Sequence, residues 1–360
     1  MNTEHSSRKI DVRRSSAAIV AAWRAHSGGR SRRDVERRTL VACSGGVDSC
    51  ALAIALAARA AHGSLVLGHV VHDMRSAELS EGDARACEAL AERLRIPFVR
   101  TGVAIKHAGG NPEGVARRER YRALGEMARA HGCGVVATAH HAGDQLETVL
   151  MRLVRGAGPA GLGSIAPRRR LDDLEPRVML IRPMLGVTHE ETMAICTQAG
   201  WAWREDHTNL DTTRLRSALR HGVIPALLAA APAARQRAGE LAMLSREIAG
   251  FIEQEACMLR DRAAMQGNSG EDGRERGNNP RRFQRSIVQQ SPRAVCMAFL
   301  QREIRDLSPA SRDRVSQRSL RAAAAAIRSS NGERREFLWR GVVMIVHGQV
   351  VELRTMGNVV

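Results

Sequence analysis

The sequence predicts an α/β fold: a parallel sheet with helices on both faces, followed by a mainly helical region and a small C-terminal β element. Three observations carry this. From Arg38 onward, short apolar runs alternate with helix-length stretches, the pattern of strand–helix–strand units in a parallel sheet. The first run, Leu40–Cys43, leads into the glycine-bearing turn Ser44-Gly45-Gly46-Val47-Asp48-Ser49 and then an Ala-rich segment ending near Ala61. A second polar string, Ala137 to Thr148, also stands between an apolar run and a helix. Ligands of such sheets bind beyond the carboxyl ends of the strands, where both strings fall.

The elements follow in order. A short helix is expected at Ala17–His26 inside a basic N-terminal segment, 1–37. Leu40–Cys43, Leu65–Val71, Phe98–Val103 and Val135–Thr138 read as buried strands, and Ser49–Ala61, Glu81–Arg95 and Glu113–His131 as the helices between them. Arg169–Leu171 and Val178–Ile181 form a hairpin or edge extension, Pro183 ends the strand, and a helix spans Thr188–Ala199. A further helix opens after Asp211, with Pro225 interrupting or restarting it. The expected organisation is then an α/β domain over 38–225, a helical region over 226–265, a Gly/Asn-rich linker over 266–281, and a helical region ending in a hairpin over 282–360. There is no internal repeat.

Composition narrows the partners. The 360 residues carry 44% hydrophobic side chains, enough for a real core. No apolar run nears the ~20 residues that span a bilayer. Met1 to Arg14 lacks an apolar signal-like stretch, so a cytoplasmic protein with no membrane partner is expected. The net charge of +17, almost all of it from arginine beside Lys9 and Lys106, points to a polyanion. Seven scattered cysteines form no C-x-x-C pair, which speaks against zinc and iron–sulfur sites and for a reducing compartment.

The 44–49 turn has the make-up of a phosphate cradle. Adjacent glycines bring backbone N–H groups close to an anion, and the helix start adds its positive end. Ser44 and Ser49 add hydroxyls, and Asp48 adds a carboxylate suited to a metal. No lysine follows the glycines, so the loop is not the G-x-x-x-x-G-K-S/T type. Its order resembles the pyrophosphate loop of the N-type ATP pyrophosphatases. In the second string, Asp144 and Glu147 are three apart on one helical face, near a helix start that favours carboxylates.

Further matches make the resemblance specific. The stretches His69 to Arg75, Glu113 to Tyr121, Arg155 to Leu162, Arg182 to Leu185, Trp203 to Asp211 and Arg216 to Arg220 occur in order over about 40–225. Together with the two strings they resemble the tRNA(Ile)-lysidine synthetases of the PP-loop superfamily. Three positions depart from that family's pattern: Gly143 for the first Asp of its D-D-Q, Ser217 for an Asn, and Asp73 for a Gly. Restoring Asp at 143 is expected not to lower activity.

The resemblance implies a Rossmann-like, adenine nucleotide alpha hydrolase-like sheet and an ATP-dependent, magnesium-assisted ligation. Lysine is joined to C2 of the wobble cytidine in CAU-anticodon tRNA(Ile), through an adenylated cytidine, giving lysidine, AMP and pyrophosphate. ATP contact is implied for Ser44, Gly45, Gly46, Val47, Asp48, Ser49 and His72, and catalysis for Asp48, His140, Asp144, Glu147 and Arg216. His140 or Glu147 would serve as base for the amine, Arg216 as the cation near the activated base, and Asp48 and Asp144 as magnesium ligands, with Glu147 a third metal-side carboxylate. Arg117, Arg120, Arg152, Arg155 and Arg220 would contact the tRNA backbone from exposed helix faces, and 282–360 would add to that surface. The implied partners are tRNA(Ile), free L-lysine and a second copy in a homodimer. The alternatives are a tRNA thiolase of the same superfamily, which the missing C-x-x-C pair disfavours, and a catalytically degenerate tRNA-binding homologue.

Overall fold

The computed structural model describes residues 10–29, 32–73, 77–104, 112–204, 214–265, 280–308, 315–329, 333–339 and 341–356. The chain divides into two compact units, Met1–Ser245 and Arg246–Val360.

The first unit is built on a six-stranded sheet in the order β3-β2-β1-β4-β6-β5. Its strands are β1 (Thr39–Ala42), β2 (Leu65–His72), β3 (Phe98–Val103), β4 (Val135–Ala137), β5 (Arg168–Arg170) and β6 (Met179–Ile181). All neighbours run parallel except the edge pair β5–β6, which is the expected hairpin. The period-2 alternation of the strands sorts the core into two layers. Leu40, Val66, Val136 and Leu180 face α4 (Pro112–Ala130), where Leu124, Met127 and Ala128 meet them. Val41, Leu67, Ala137 and Ile181 face the opposite layer, which contains α1 (Val12–His26), α2 (Val47–Ala57), α3 (Ala77–Leu94) and α7 (His189–Gln198). Burying both faces explains why these strands read as continuous apolar runs. The remaining helices of this unit are α5 (Ala142–Val154), α6 (Pro159–Leu162), α8 (Arg214–Ala218), α9 (Ile224–Ala230) and the first part of α10 (Ala234–Ala263).

The N-terminal segment is not separate from the sheet. Ile19, Val20 and Trp23 of α1 are core residues, and the Trp23 indole N–H donates to Thr39 Oγ1 at 3.0 Å. Arg37 is buried with its guanidinium over the Trp23 ring and donates to the Arg24 carbonyl and Ser27. A boundary at residue 38 would cut through this packing.

The second unit carries a four-stranded antiparallel sheet, β7-β10-β9-β8, which is the small C-terminal β element expected, extended by β7. Its strands are β7 (Arg281–Gln284), β8 (Arg335–Trp339), β9 (Val342–His347) and β10 (Val350–Thr355). Arg281, expected at the end of the linker, opens β7 and pairs with Leu353; residues 266–279 lie outside the described ones. The helices α11 (Arg285–Gln290), α12 (Arg293–Leu307) and α13 (Gln317–Arg328) accompany this sheet, and Phe283 meets Phe299 edge-on at 4.9 Å in the core. No described helix is long and apolar enough to cross a membrane.

Candidate active site

β1 and β4 are adjacent in space, and the chain leaves the two strands on different connections, so a crevice opens beyond their carboxyl ends. A cavity of about 800 Å³ occupies it. Ser44, Gly46, Val47, Asp48 and Ser49 line it from the first loop, His140 and Asp144 from the second, and Arg117 and Arg120 from α4.

The first loop is braced from within. Gly45 adopts φ +87°, a conformation that side chains disfavour, and α2 starts directly after Gly46. The Ser49 hydroxyl accepts from Ser44 N–H at 3.1 Å and donates to the Gly46 carbonyl at 2.9 Å. Behind the loop lie the buried thiols Cys43, Cys50 and Cys87, with Cys87 Sγ 3.5 Å from Cys43 Sγ.

Asp48, in the first turn of α2, is held by α7. That helix begins in a capping box in which Thr188 Oγ1 accepts from Glu191 N–H and Glu191 accepts from Thr188 N–H at 2.8 Å. The cap brings His189 Nδ1–H to Asp48 Oδ1 at 3.0 Å and the buried Thr192 hydroxyl to the same oxygen at 2.7 Å. Burial works against the Asp48 charge, but the His189 hydrogen bond, the His141 ring and Thr192 together hold its pKa below the ordinary carboxylate value. The same hydrogen bond raises the His189 pKa, against burial.

The second loop caps α5. His141 Nδ1 accepts from Gly143 N–H at 2.9 Å, and Asp144 Oδ2 accepts from His141 N–H at 2.9 Å. His141 Nε2 stands 3.7 Å from Asp48 Oδ2 and 3.7 Å from Asp144 Oδ2. The ligand atoms that converge, within 4.8 Å of one another, are those of Asp48, His141 and His189; Asp144 is not of this group. The trio is a poor magnesium cage, because magnesium prefers oxygen. Moreover, a His141 Nδ1 that accepts from Gly143 keeps its proton on Nε2, which makes Nε2 a donor rather than a ligand. Asp48 and Asp144 both bring carboxylate oxygens to the cavity wall.

Several expected roles change. Glu147, expected as a metal-side carboxylate or base, has a side chain 3% exposed and bonded to both Arg216 and Arg220, the latter at 2.8 Å. Arg216 and Arg220 are therefore anchored by that carboxylate. His140, 3.0 Å from Thr138 Oγ1, is pushed down to about 4 by burial, aided by Arg182, Arg117 and His141 and opposed by Asp144. A base that weak is badly matched to an ammonium near pKa 10. Arg117 and Arg120 are exposed, as expected, and also line the cavity mouth. Arg152 is half-buried and donates to the Gly161 carbonyl, while Arg155 is exposed. His72 ends β2, its side chain outside the described residues, and Asp73 follows in the turn. Sequence reasoning missed His189 and Thr192, which have no local signal, and Tyr121 and Arg182, which stand inside quoted motifs.

The space beside Gly143 is tight. A Cβ there would sit 2.6 Å from His141 Cε1, so the ring would have to leave its capping position. A lost cap costs about 1 kcal/mol and forced repacking about 1–3 kcal/mol. Gly143→Asp is therefore expected to lower kcat/KM for ATP by about tenfold, read as pyrophosphate release against ATP concentration. A wild-type value would show that His141 turns aside freely.

A family model described as the PP-loop domain matches residues 19–227. The chain belongs to the PP-loop family. Its match begins inside α1, in keeping with the packing of that helix into the core. Among curated proteins, the PP-loop chain is 37% identical over 212 residues to a tRNA(Ile)-lysidine synthase of Geobacter sulfurreducens, covering 58% of this chain and 44% of that protein. It is 41% identical over 196 residues to one of Salinispora arenicola, covering 53% and 56%. The chain spans about half the length of the curated relatives it matches. Among solved structures, a U34-tRNA thiolase of Methanococcus maripaludis shares the fold, with TM-score 0.52 and 15% identity over 65% of this chain and 80% of that one.

Proposed function

We propose that this PP-loop protein is a tRNA(Ile)-lysidine synthase acting in the cytoplasm on CAU-anticodon tRNA(Ile), ATP and free L-lysine. The observation that carries the reading is convergence. The pyrophosphate-type loop, the His140–Asp144 turn and two arginines of α4, all widely separated in sequence, line one cavity.

The chemistry follows in two displacements. The cytidine O2 attacks the α-phosphorus of ATP, and the bond to the β-phosphate oxygen breaks. Pyrophosphate leaves on the N–H groups of the 44–49 loop, where a preformed set of donors stabilises the developing charge. The lysine ε-amine then adds at C2, the bond from C2 to the AMP oxygen breaks, and the amine loses its proton. Asp48 and Asp144 would offer carboxylate oxygens to a magnesium ion arriving with ATP, and the ion would spread the phosphate charge. Asp144 acts through the His141 cap, and Glu147 acts by holding Arg216 and Arg220. Exposed arginines such as Arg155 face the RNA backbone in this reading.

The test is incubation of purified protein with ATP, labelled lysine and unmodified CAU-anticodon tRNA. Label is expected in the tRNA, with one AMP and one pyrophosphate released per lysine. Label that stays out of the RNA under magnesium sinks the reading.

A further inference from the structure

Four buried thiols gather around the nucleotide loop, and phosphate binding uses none of them. Cys43 leads into the loop, Cys50 lies on α2, Cys87 on α3 and Cys196 on α7. Cys50 Sγ donates to the Gly45 carbonyl at 3.5 Å, and Cys196 Sγ to the Val47 carbonyl at 3.5 Å. Cys87 differs. Its Sγ donates to the Cys43 sulfur at 3.5 Å and to the Cys43 carbonyl at 3.7 Å. Two cysteines 44 positions apart therefore meet sulfur to sulfur at the root of the loop.

Cys43 is also the thiol that a small molecule reaches first. It lines the cavity, whereas Cys87 is 0% exposed behind it. Hydrogen bonds from Cys50 and Cys87 lower the Cys43 pKa against its burial, which favours the thiolate that reacts with peroxides. The Cys43 sulfur stands 3.7 Å from the Ser49 hydroxyl that braces the loop.

We propose that Cys43 and Cys87 form a reversible disulfide in the presence of hydrogen peroxide, and that this bond weakens ATP binding at the loop. The Cys43 thiolate attacks one peroxide oxygen and the O–O bond breaks. The other oxygen leaves as hydroxide and takes up the proton that Cys43 gave away, forming water. Cys43 is then a sulfenic acid. The Cys87 sulfur attacks the Cys43 sulfur, the S–O bond breaks, and the hydroxyl leaves with the Cys87 proton as a second water. Two thiols have lost two electrons, and the peroxide has gained them.

A disulfide holds its sulfurs about 2 Å apart, so closure draws these two together by about 1.5 Å. Cys43 is bonded to Ser44, and the pull passes directly into the backbone of the loop. A shift of about 1 Å at a positioning element costs on the order of 10²-fold in rate. ATP seated on the loop covers Cys43, so nucleotide and oxidant compete. In a reducing compartment such a bond is transient, which suits a sensor rather than a structural staple. Only the accompanying loss of lysine joining rests on the proposed function; the bond and its effect on ATP stand on the PP-loop alone.

For the test, purified protein is treated with hydrogen peroxide, with and without saturating ATP, and its peptides are mapped by mass spectrometry after the free thiols are blocked. The expected product is a Cys43–Cys87 cross-link that forms more slowly under ATP. ATP affinity by equilibrium dialysis is expected to fall by about tenfold or more and to return with dithiothreitol. In Cys87→Ala, Cys43 is expected to pass on to an irreversible sulfinic acid, while the reduced variant binds ATP as wild type does. Thermal melting checks that this variant folds, and the wild-type cross-link decides the matter without it. A different pairing, Cys43–Cys50 included, or no cross-link overturns the inference. So does a cross-link that ATP does not slow or that leaves ATP affinity unchanged. If reduced protein still joins lysine in those cases, the proposed function stands. Reduced protein that joins no lysine, yet cross-links and loses ATP as expected, overturns the proposed function and leaves the switch.

Discussion

Asp48→Ala is expected to cut pyrophosphate release by about 10²–10³-fold, with tRNA affinity nearly unchanged. The carboxylate sits in the first turn of α2, one oxygen fixed by His189 and Thr192 and the other turned toward His141. Its loss removes a carboxylate from the cavity wall and leaves His189 as an uncompensated imidazole beside the loop. Asp48→Asn separates charge from shape, since an amide oxygen still accepts from Thr192 but carries no charge. The asparagine variant should therefore fall nearly as far as alanine in rate while melting close to wild type. The measurements are single-turnover pyrophosphate release and tRNA binding at fixed salt, because salt alone changes arginine-driven RNA affinity. Normal ATP cleavage with lost tRNA binding would contradict the assigned role.

The second large effect falls on stability. Glu147 is nearly fully buried, and its charge is answered by Arg216 and Arg220. Removing both arginines strands a carboxylate away from water, which costs about 3–5 kcal/mol. Glu147→Gln removes the charge itself, and the partly exposed guanidiniums can turn to water, so its cost is nearer 1–2 kcal/mol. The order is the informative part: Arg216→Ala with Arg220→Ala should be less stable than Glu147→Gln in urea unfolding. Equal stability of the two variants would show that the carboxylate finds another partner or takes up a proton.

The sheet was legible because its signals are local. Alternating apolar runs mark β1 to β4, and glycine and serine types mark the turn after β1. The α1 packing was hidden because arginines on its outer side mask a narrow stripe of Ile19, Val20 and Trp23. β7 was missed because its partner, β10, lies far along the chain and strand pairing has no local mark. The site divides in the same way. The 44–49 loop, His140 and Asp144 announced themselves by spacing. His189 did not, because what makes it matter is Asp48, 141 positions earlier. Glu147 was visible as a carboxylate, but its role is set by arginines 69 and 73 positions later. Spacing shows that a group can reach a site; only the fold shows what else holds it.

The Ser49 hydroxyl bears on the cost of binding a nucleotide. By tying Ser44 to Gly46 it gives the loop its curvature when the chain folds. Freezing a residue from the unfolded ensemble costs roughly 1–2 kcal/mol in entropy. For this loop that loss is met once per folding event and not once per ATP bound, so nucleotide binding has no ordering penalty to overcome there. Ser49→Ala should expose it, as an ATP affinity whose entropic part worsens while the groups facing the phosphates stay the same.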